Sequence, residues 1–451
     1  MSATDHPVQG TGIGARLPRR DLQRLLIGRG QYIDDMRLPR MLYAACVRSP
    51  HAHAQILGID FAAARQAPGV VDIFTAAEIN ALCKPFIGVA GHRPGHRSPP
   101  QSVLAQERAV WQGQPVAIII ARTRAEAEDA AELVAIDWNP LPVVVDAQSA
   151  ISGEHVIHPQ LGDNIAFDFT LAKGDTAKVF AQADLVVEET FRFERQMAMT
   201  LETRGLISDF NPGDGSLTVW HAHQSPFQMQ EIYSRHLDIP AQKIRVIAPD
   251  IGGAFGMKLN VYMDEIAAVV ASMLVRRPVK FIVDRLESFV SDAQARDHTV
   301  KARMACKDGR ITAMEVDDIG AVGAYGMPMR FNVAEGMMTI SVCGAPYAFE
   351  DYKARTRSVY VNKNLIGMYR GVGMPLACIV AEVLADRAAD AMGMDTIDFK
   401  QKNYRPKSSL PCVTPGGQRL ETISLQECLE KLDKLMDYAA LRVLRIKDKE
   451  H

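Results

Sequence analysis

The sequence predicts a mixed α+β (α/β) fold, and three observations carry that prediction. Short apolar and β-branched runs recur along the chain, closed by turn pairs such as Pro68-Gly69 and Asp308-Gly309. Amphipathic stretches with helical spacing lie between them. Apolar residues make up 47% and charged residues 23% of the 451, ordinary globular usage, so a core can form and wholesale disorder is excluded. At roughly 100–200 residues per domain the chain holds two to four domains.

Residues 1–27, with Gly10, Gly12, Gly14 and Leu17-Pro18-Arg19-Arg20, read as a loosely held arm. Leu42–Arg48, Ala54–Asp60 and Val70–Thr75 read as strands, and Pro115–Ala121 as a fully buried one. Arg124–Ala135 is rich in good helix formers. Val134–Trp138 and Val143–Val145 read as a strand pair split by Asn139-Pro140-Leu141-Pro142. Asp146–Gly174 reads as a polar connection. Beyond it, Asp184–Phe193 is a strand, and Gly205–Phe210 and Ser216–Ala222 form a hairpin about Asn211–Gly215. Lys243–Ala248 and Val279–Val283 are strands around the Tyr262–Arg276 helix. Val300–Ala305 and Ile311–Asp317 form a second hairpin. Leu376–Met392 is a helix, and Ser424–Leu444 a long one opened by a Ser424/Glu427 capping box. Its apolar face holds Cys428, Leu429, Leu432, Leu435, Met436 and Ala439.

Charge and composition exclude several functions. Lys and Arg number 51 against 53 Asp and Glu, a net charge of −2, so no global basic field for nucleic acid exists. No apolar run approaches the ~20 residues of a membrane span. Arg19-Arg20 is not followed by an apolar segment, so an export signal is discounted and a cytoplasmic location is expected. The seven cysteines are scattered without a C-x-x-C pair, which reads as reduced thiols and argues against a zinc ribbon or an iron–sulfur cluster on this chain.

Two glycine loops are the main candidates for chemistry. Asp250–Lys258 carries Gly252, Gly253 and Gly256 between a strand and a helix. Glycines let a backbone approach a ligand closely, and the following helix would add its positive end. The spacing G-G-x-x-G is neither a dinucleotide fingerprint nor a phosphate loop, so a plain tight turn stays open. Met368–Met374 carries Arg370, Gly371 and Gly373 before a second helix; Arg370 suits phosphate or oxo ligands, or is a surface arginine beside a turn. His221 and His223 alternate at a strand end, either as a hydrogen-bonded pair or as part of a metal site, and Gln224 follows. Glu202 and Arg204 share a strand face and are expected to form a structural salt bridge. Asp297-His298, with Asp284, Arg285 and Glu287, reads as strand-end and surface charge. Met327, Met329, Met337 and Met338 read as packing.

Taken in order, these segments resemble the molybdenum-binding large subunit of the xanthine dehydrogenase, aldehyde oxidase and carbon monoxide dehydrogenase family. The matching segments include Gly28–Asp35, Arg48–Ala54, Gly113–Ala117, Pro140–Val144, Glu202–Gly205, Gln224–Pro226, Gly252–Gly256 and Tyr369–Gly373, through to Asp437–Leu441. The resemblance implies an arm over 1–27, a small α/β hammerhead domain over 28–146 and the first molybdenum-cofactor-binding domain over 155–451. It implies that Gln224 hydrogen-bonds near the metal's oxo ligand, that Phe255 and Gly256 present backbone N–H groups, with Gly252 and Gly253 in the same cofactor-binding loop, and that Arg370, Gly371 and Gly373 hold the cofactor. The cofactor would be molybdenum on a pterin dithiolene, in the cytosine dinucleotide form, with no protein metal ligand. The implied reaction is hydroxylation with water as the oxygen source, a carboxylate as base, and electrons passing to [2Fe-2S] and FAD on partner subunits.

Three departures refine the expectation. The family's second molybdenum-binding domain, with its glutamate base, finds no match after residue 400, so no catalytic residue is expected here. A partner polypeptide would supply that half, as in split nicotinate-dehydrogenase-like enzymes; the alternative is a non-catalytic half serving assembly. A third reading is a nucleotide-binding module using the glycine loops. The Tyr369–Gly373 loop lacks the cysteine of carbon monoxide dehydrogenases. Leu259 and Val372 make the implied substrate pocket apolar, pointing away from xanthine toward an aldehyde or an N-heteroaromatic acid.

Overall fold

The computed structural model describes residues 19–88, 94–328 and 332–449, together with Gly12 and Ala15. Gly10, Gly14, Leu17, Pro18 and Met329, named above, lie outside the described residues. Strands β1 (Leu42–Arg48), β2 (Ala54–Asp60), β3 (Val70–Thr75), β4 (Arg108–Ala109), β5 (Pro115–Ala121) and β6 (Ala135–Pro140) come from the first third of the chain. Strands β7 (Ile165–Lys173), β8 (Leu185–Phe193), β9 (Gly205–Asn211), β10 (Ser216–His221), β11 (Ile244–Ile247) and β12 (Val279–Ile282) follow. The last long strands are β13 (His298–Lys307), β14 (Arg310–Gly323) and β15 (Asp351–Tyr360).

One seven-stranded sheet, in the order β11-β10-β9-β12-β1-β5-β3, crosses the boundary between the two expected domains. The junction is parallel: Leu42, Tyr43 and Ala44 of β1 pair with Val279, Lys280 and Phe281 of β12. Every residue of β5 is buried, as its continuous apolar run requires. The Met263–Val275 helix crosses this sheet, buried from Met263 through Ser272. Alanines at 267, 268 and 271 let it lie close to the strands. A five-stranded sheet, β7-β15-β14-β13-β8, packs the Ala334–Val342 and Met374–Ala391 helices on one face. Its other face is an open groove of about 620 Å³ lined by Lys301, Arg303, Glu315, Asp317, Lys353 and Arg355 among others. Much of that charge is internally paired, as Arg303–Glu315 and Arg355–Asp168.

Several expectations are corrected. The helix from Arg124 stops at Glu132, and β6 begins at Ala135. Val143–Val145 is not a strand. Pro142 lacks the N–H that a ladder needs, and Val144 instead exchanges hydrogen bonds with Asn362 at 2.9 and 2.6 Å. The polar connection holds the Ala147–Ser152 helix and the edge strand β7. The long C-terminal helix is two, Leu425–Met436 and Tyr438–Lys449, broken at Asp437 with φ 48°. Ser424 makes no side-chain cap, and Glu427 pairs with Lys407 instead of closing the capping box. The described part of the arm is tied down: Arg24 donates to Asp250 at 2.6 Å.

Candidate functional site

Strands β10 and β11 deliver two segments to one end of the larger sheet. Gln224 leaves β10 after His221 and accepts the Gly256 N–H on Oε1 at 2.9 Å, while its own N–H donates to the Lys258 carbonyl at 2.9 Å. The glycines are required here. Gly253 and Gly256 have φ near 97° and 98°, and a Cβ on Gly256 would lie 2.7 Å from the Met368 carbonyl oxygen. A Cβ on Gly252 would lie 2.4 Å from Cβ of Glu202. Phe255 also adopts positive φ, 53°, and remains 46% exposed. A non-glycine residue held there carries strain that its surroundings must support.

The expected helix end is absent from this loop. A single turn, Met257–Leu259, and an extended stretch separate it from the Met263–Val275 helix. The first turn of that helix is occupied by its own Asp264 and Glu265, which pair with Arg204. The second loop does run straight into a helix, with Gly373 at the N-cap of Met374–Ala391.

The two loops touch. The Arg370 N–H donates to the Phe255 carbonyl at 2.9 Å, and Val372, with φ 51°, closes a turn by donating to Tyr369 at 2.7 Å. The structure thus brings Gln224, Gly252, Gly253, Phe255, Gly256, Arg370, Gly371 and Gly373 into one region. Arg370 is exposed, and its guanidinium has no hydrogen-bond or ion-pair partner among the described residues. Leu259 and Val372 are half-buried on the two loops.

Beneath the loops lie buried charges. Glu202 and Arg204 do not pair with each other. Glu202 Oε2 accepts from Lys258 Nζ and from the Gly252 N–H, both at 2.8 Å. Burial lowers the Lys258 pKa, against the pull of Glu202. Arg204 is 1% exposed and contacts Asp264, Glu265 and Asp292, with Tyr262 stacked 3.7 Å from its guanidinium carbon. Burial would lower Arg204, yet the three carboxylates raise it well above its ordinary value. The Tyr262 hydroxyl donates to the Met257 carbonyl at 2.8 Å, carrying this order to the first loop.

The histidines are structural. His221 bonds Glu265 at 3.0 Å, and His223 lies between the Asn260 carbonyl and the Ser225 N–H. Burial pushes His223 down to about 3. No group of three His, Cys, Asp or Glu able to hold a metal comes together among the described residues. Asp297 and His298 are not surface charge: Asp297 pairs with Arg195 and Lys363, and His298 is buried against Asp318. Asp284 caps the Arg285–Ser291 helix. Met327 and Met337 are buried in packing. Sequence reasoning missed Arg296 and Glu335, a buried pair behind the second loop. They stand 39 positions apart, so spacing carries no signal of their pairing.

These features define a class: an α+β protein with two touching glycine loops and a free arginine facing outward. The molybdopterin cofactor-binding domain matches residues 157–404, and the aldehyde oxidase and xanthine dehydrogenase a/b hammerhead domain matches residues 27–142. The chain belongs to the molybdopterin-binding large-subunit family that also includes carbon monoxide dehydrogenase and xanthine dehydrogenase chains. It is 32% identical to the nicotine 6-hydroxylase large subunit of Paenarthrobacter nicotinovorans, over 96% of this chain and 53% of that one. It is 28% identical to the nicotinate dehydrogenase large molybdopterin subunit of Eubacterium barkeri, over 93% of this chain and 95% of that one. Quinoline 2-oxidoreductase from Pseudomonas putida 86 superimposes with a TM-score of 0.93 at 30% identity, over 96% of this chain and 55% of that one. The chain spans about half the length of the first curated relatives it matches, and nearly the whole of the Eubacterium subunit. No helix among the described residues is long and apolar enough to cross a membrane.

The residues fit a molybdenum pterin. An oxo-bearing, phosphate-bearing cofactor needs outward donors and an unpaired cation. Arg370 is a cation of that kind, whereas the Gly256 N–H, expected to face the ligand, is taken up by Gln224 Oε1, and the neighbouring Gly252 N–H by Glu202. The Gln224 amide N–H2 has no acceptor among the described residues, since the Gly256 contact uses only its oxygen.

Proposed function

We propose that this chain forms one half of the molybdenum-cofactor cradle of a hydroxylase acting on an aldehyde or an N-heteroaromatic substrate. The observation that carries the reading is the Arg370 N–H to Phe255 carbonyl bond, which joins the two loops, with the Arg370 guanidinium unpaired among the described residues. The bound cofactor, in its cytosine dinucleotide form, would supply oxidation of a carbon centre with water as the oxygen source. The chain's own residues bind and orient it. Gln224 donates its amide toward the oxo side, Phe255 and Gly256 set the backbone of the first loop, and Arg370 holds a negative group. Gly371 and Gly373 let the second loop close in. Leu259 and Val372 present apolar side chains toward the substrate and exclude water.

The glutamate base is assigned to a second molybdopterin-binding body, a partner subunit, with [2Fe-2S] and FAD carried by further subunits. The Eubacterium subunit of matching length supports a division of this kind. A cytoplasmic complex acting on small molecules is the setting this implies. The domain bounds 28–146 and 155–451 are part of the same proposal.

The test is turnover by the complex purified from its host, in isotopically labelled water, against aldehydes, nicotinate-like heterocycles and purines. Labelled product from an aldehyde or heterocycle is expected. Purine turnover alone, or label drawn from molecular oxygen, would overturn the reading.

A further inference from the structure

Each loop holds one non-glycine residue at positive φ: Phe255 at 53° and Val372 at 51°. The Phe255 carbonyl is held by the Arg370 N–H. The Val372 carbonyl is held from behind, by a residue outside both loops. Arg296, which is buried, donates from Nη1 to the Val372 carbonyl at 2.7 Å and from Nη2 to the Arg370 carbonyl at 3.3 Å. A β-branched residue stays in the left-handed region only where its surroundings over-determine it.

Arg296 is itself over-determined. Its φ is 73°, its backbone N–H donates to Glu335 Oε2 at 2.8 Å, and its guanidinium pairs with Glu335 Oε1. Glu335 opens the Ala334–Val342 helix, and His298 lies 3.6 Å from it, bridging to Asp318 at 2.7 Å. Asp318 in turn accepts the Thr356 hydroxyl at 2.7 Å. Two cations and two carboxylates thus balance in the interior. Gly373 closes on the same helix, where a Cβ would lie 2.2 Å from the Glu335 carbonyl oxygen.

We infer that Arg296 is a positioning residue for the second loop: its forked donors draw the carbonyls of Arg370 and Val372 inward and so turn the Arg370 guanidinium outward. Only a planar, two-pronged donor does this; an ammonium reaches one acceptor set at a time. The inference rests on the reading of Tyr369–Gly373 as a cofactor loop for its meaning, but the geometry can be tested apart from it.

The experiment is hydrogen–deuterium exchange on the full chain, comparing Arg296→Met and Arg296→Lys with the parent. Hydrogen bonds to charged groups of this kind predict a rise of roughly ten- to hundredfold in exchange over 369–374. Strands β13 and β14 should be unchanged. Arg296→Lys keeps the pair with Glu335 and should fold, with a smaller rise in the same segment. Parent-like loop exchange in a folded variant, or a rise spread evenly over β13 and β14, would overturn the inference. Pterin content of the complex from its host is the separate readout. A loosened loop with lowered pterin content supports both readings. A loosened loop with full pterin content keeps the positioning role and refutes the loop's part in holding the cofactor.

Discussion

At the scale of single residues, the site depends on positions where a side chain atom cannot be added. Gly256→Ala places a Cβ 2.7 Å from the Met368 carbonyl oxygen at φ 98°, so one loop must move off the other. A loss of about 1–3 kcal/mol is expected from thermal or denaturant unfolding, with the loops separated. Arg204→Met leaves Asp264, Glu265 and Asp292 without their shared cation. Removing one member of a buried ionic cluster costs about 3–5 kcal/mol, which denaturant titration will show. The sequence singles out Gly252, Gly253, Gly256 and Arg370, because glycine spacing and a lone arginine before a helix are local signals. It misassigns Glu202 and Arg204 as a pair, because the two-residue spacing assumes a strand, whereas β9 begins only at Gly205 and distant residues reach both side chains. Lys258 and Asp264 come from 56 and 60 positions away.

At the scale of elements, strands and hairpins are legible and their neighbours are not. β1, β2, β3 and β5 stand where apolar runs and turn pairs put them, and Asp308-Gly309 makes the β13–β14 hairpin with φ 53° and 71°. The failures are at breaks set by tertiary partners: the C-terminal helix splits at Asp437, and β7 is an edge strand made by pairing with β15. Strand β13 begins with His298, which gives a pH prediction. Burial alone would lower His298, yet Asp318 and Glu335 raise it to about 10 from an ordinary 6.5. A raised pKa in the folded state means its stabilisation is complete below pH 6.5 and is lost as pH rises through about 10. Unfolding midpoints should therefore fall between those values. His298→Gln should be less stable at neutral pH and flatten that decline; an unchanged slope would refute the role given to His298.

At the scale of the whole molecule, the two expected domains share one sheet, which no local pattern in the sequence could reveal. β1 and β12 are parallel neighbours drawn from opposite sides of the expected boundary. Residues 28–146 expressed alone should therefore lose fixed tertiary structure, seen as a weak near-ultraviolet circular dichroism signal, because β1 would present a bare edge. Apolar side chains in the loops and in the segments that bond to them are exposed, among them Phe255, Phe227, Leu201 and Met374. Covering such side chains is what the second body we propose would do. We propose that this chain holds a molybdenum pterin together with a partner. Native mass spectrometry of the protein, gently purified from its own host, tests it most directly. A complex with a second molybdopterin-binding subunit and the added mass of a molybdenum pterin dinucleotide is expected. A bare monomer without cofactor would contradict it.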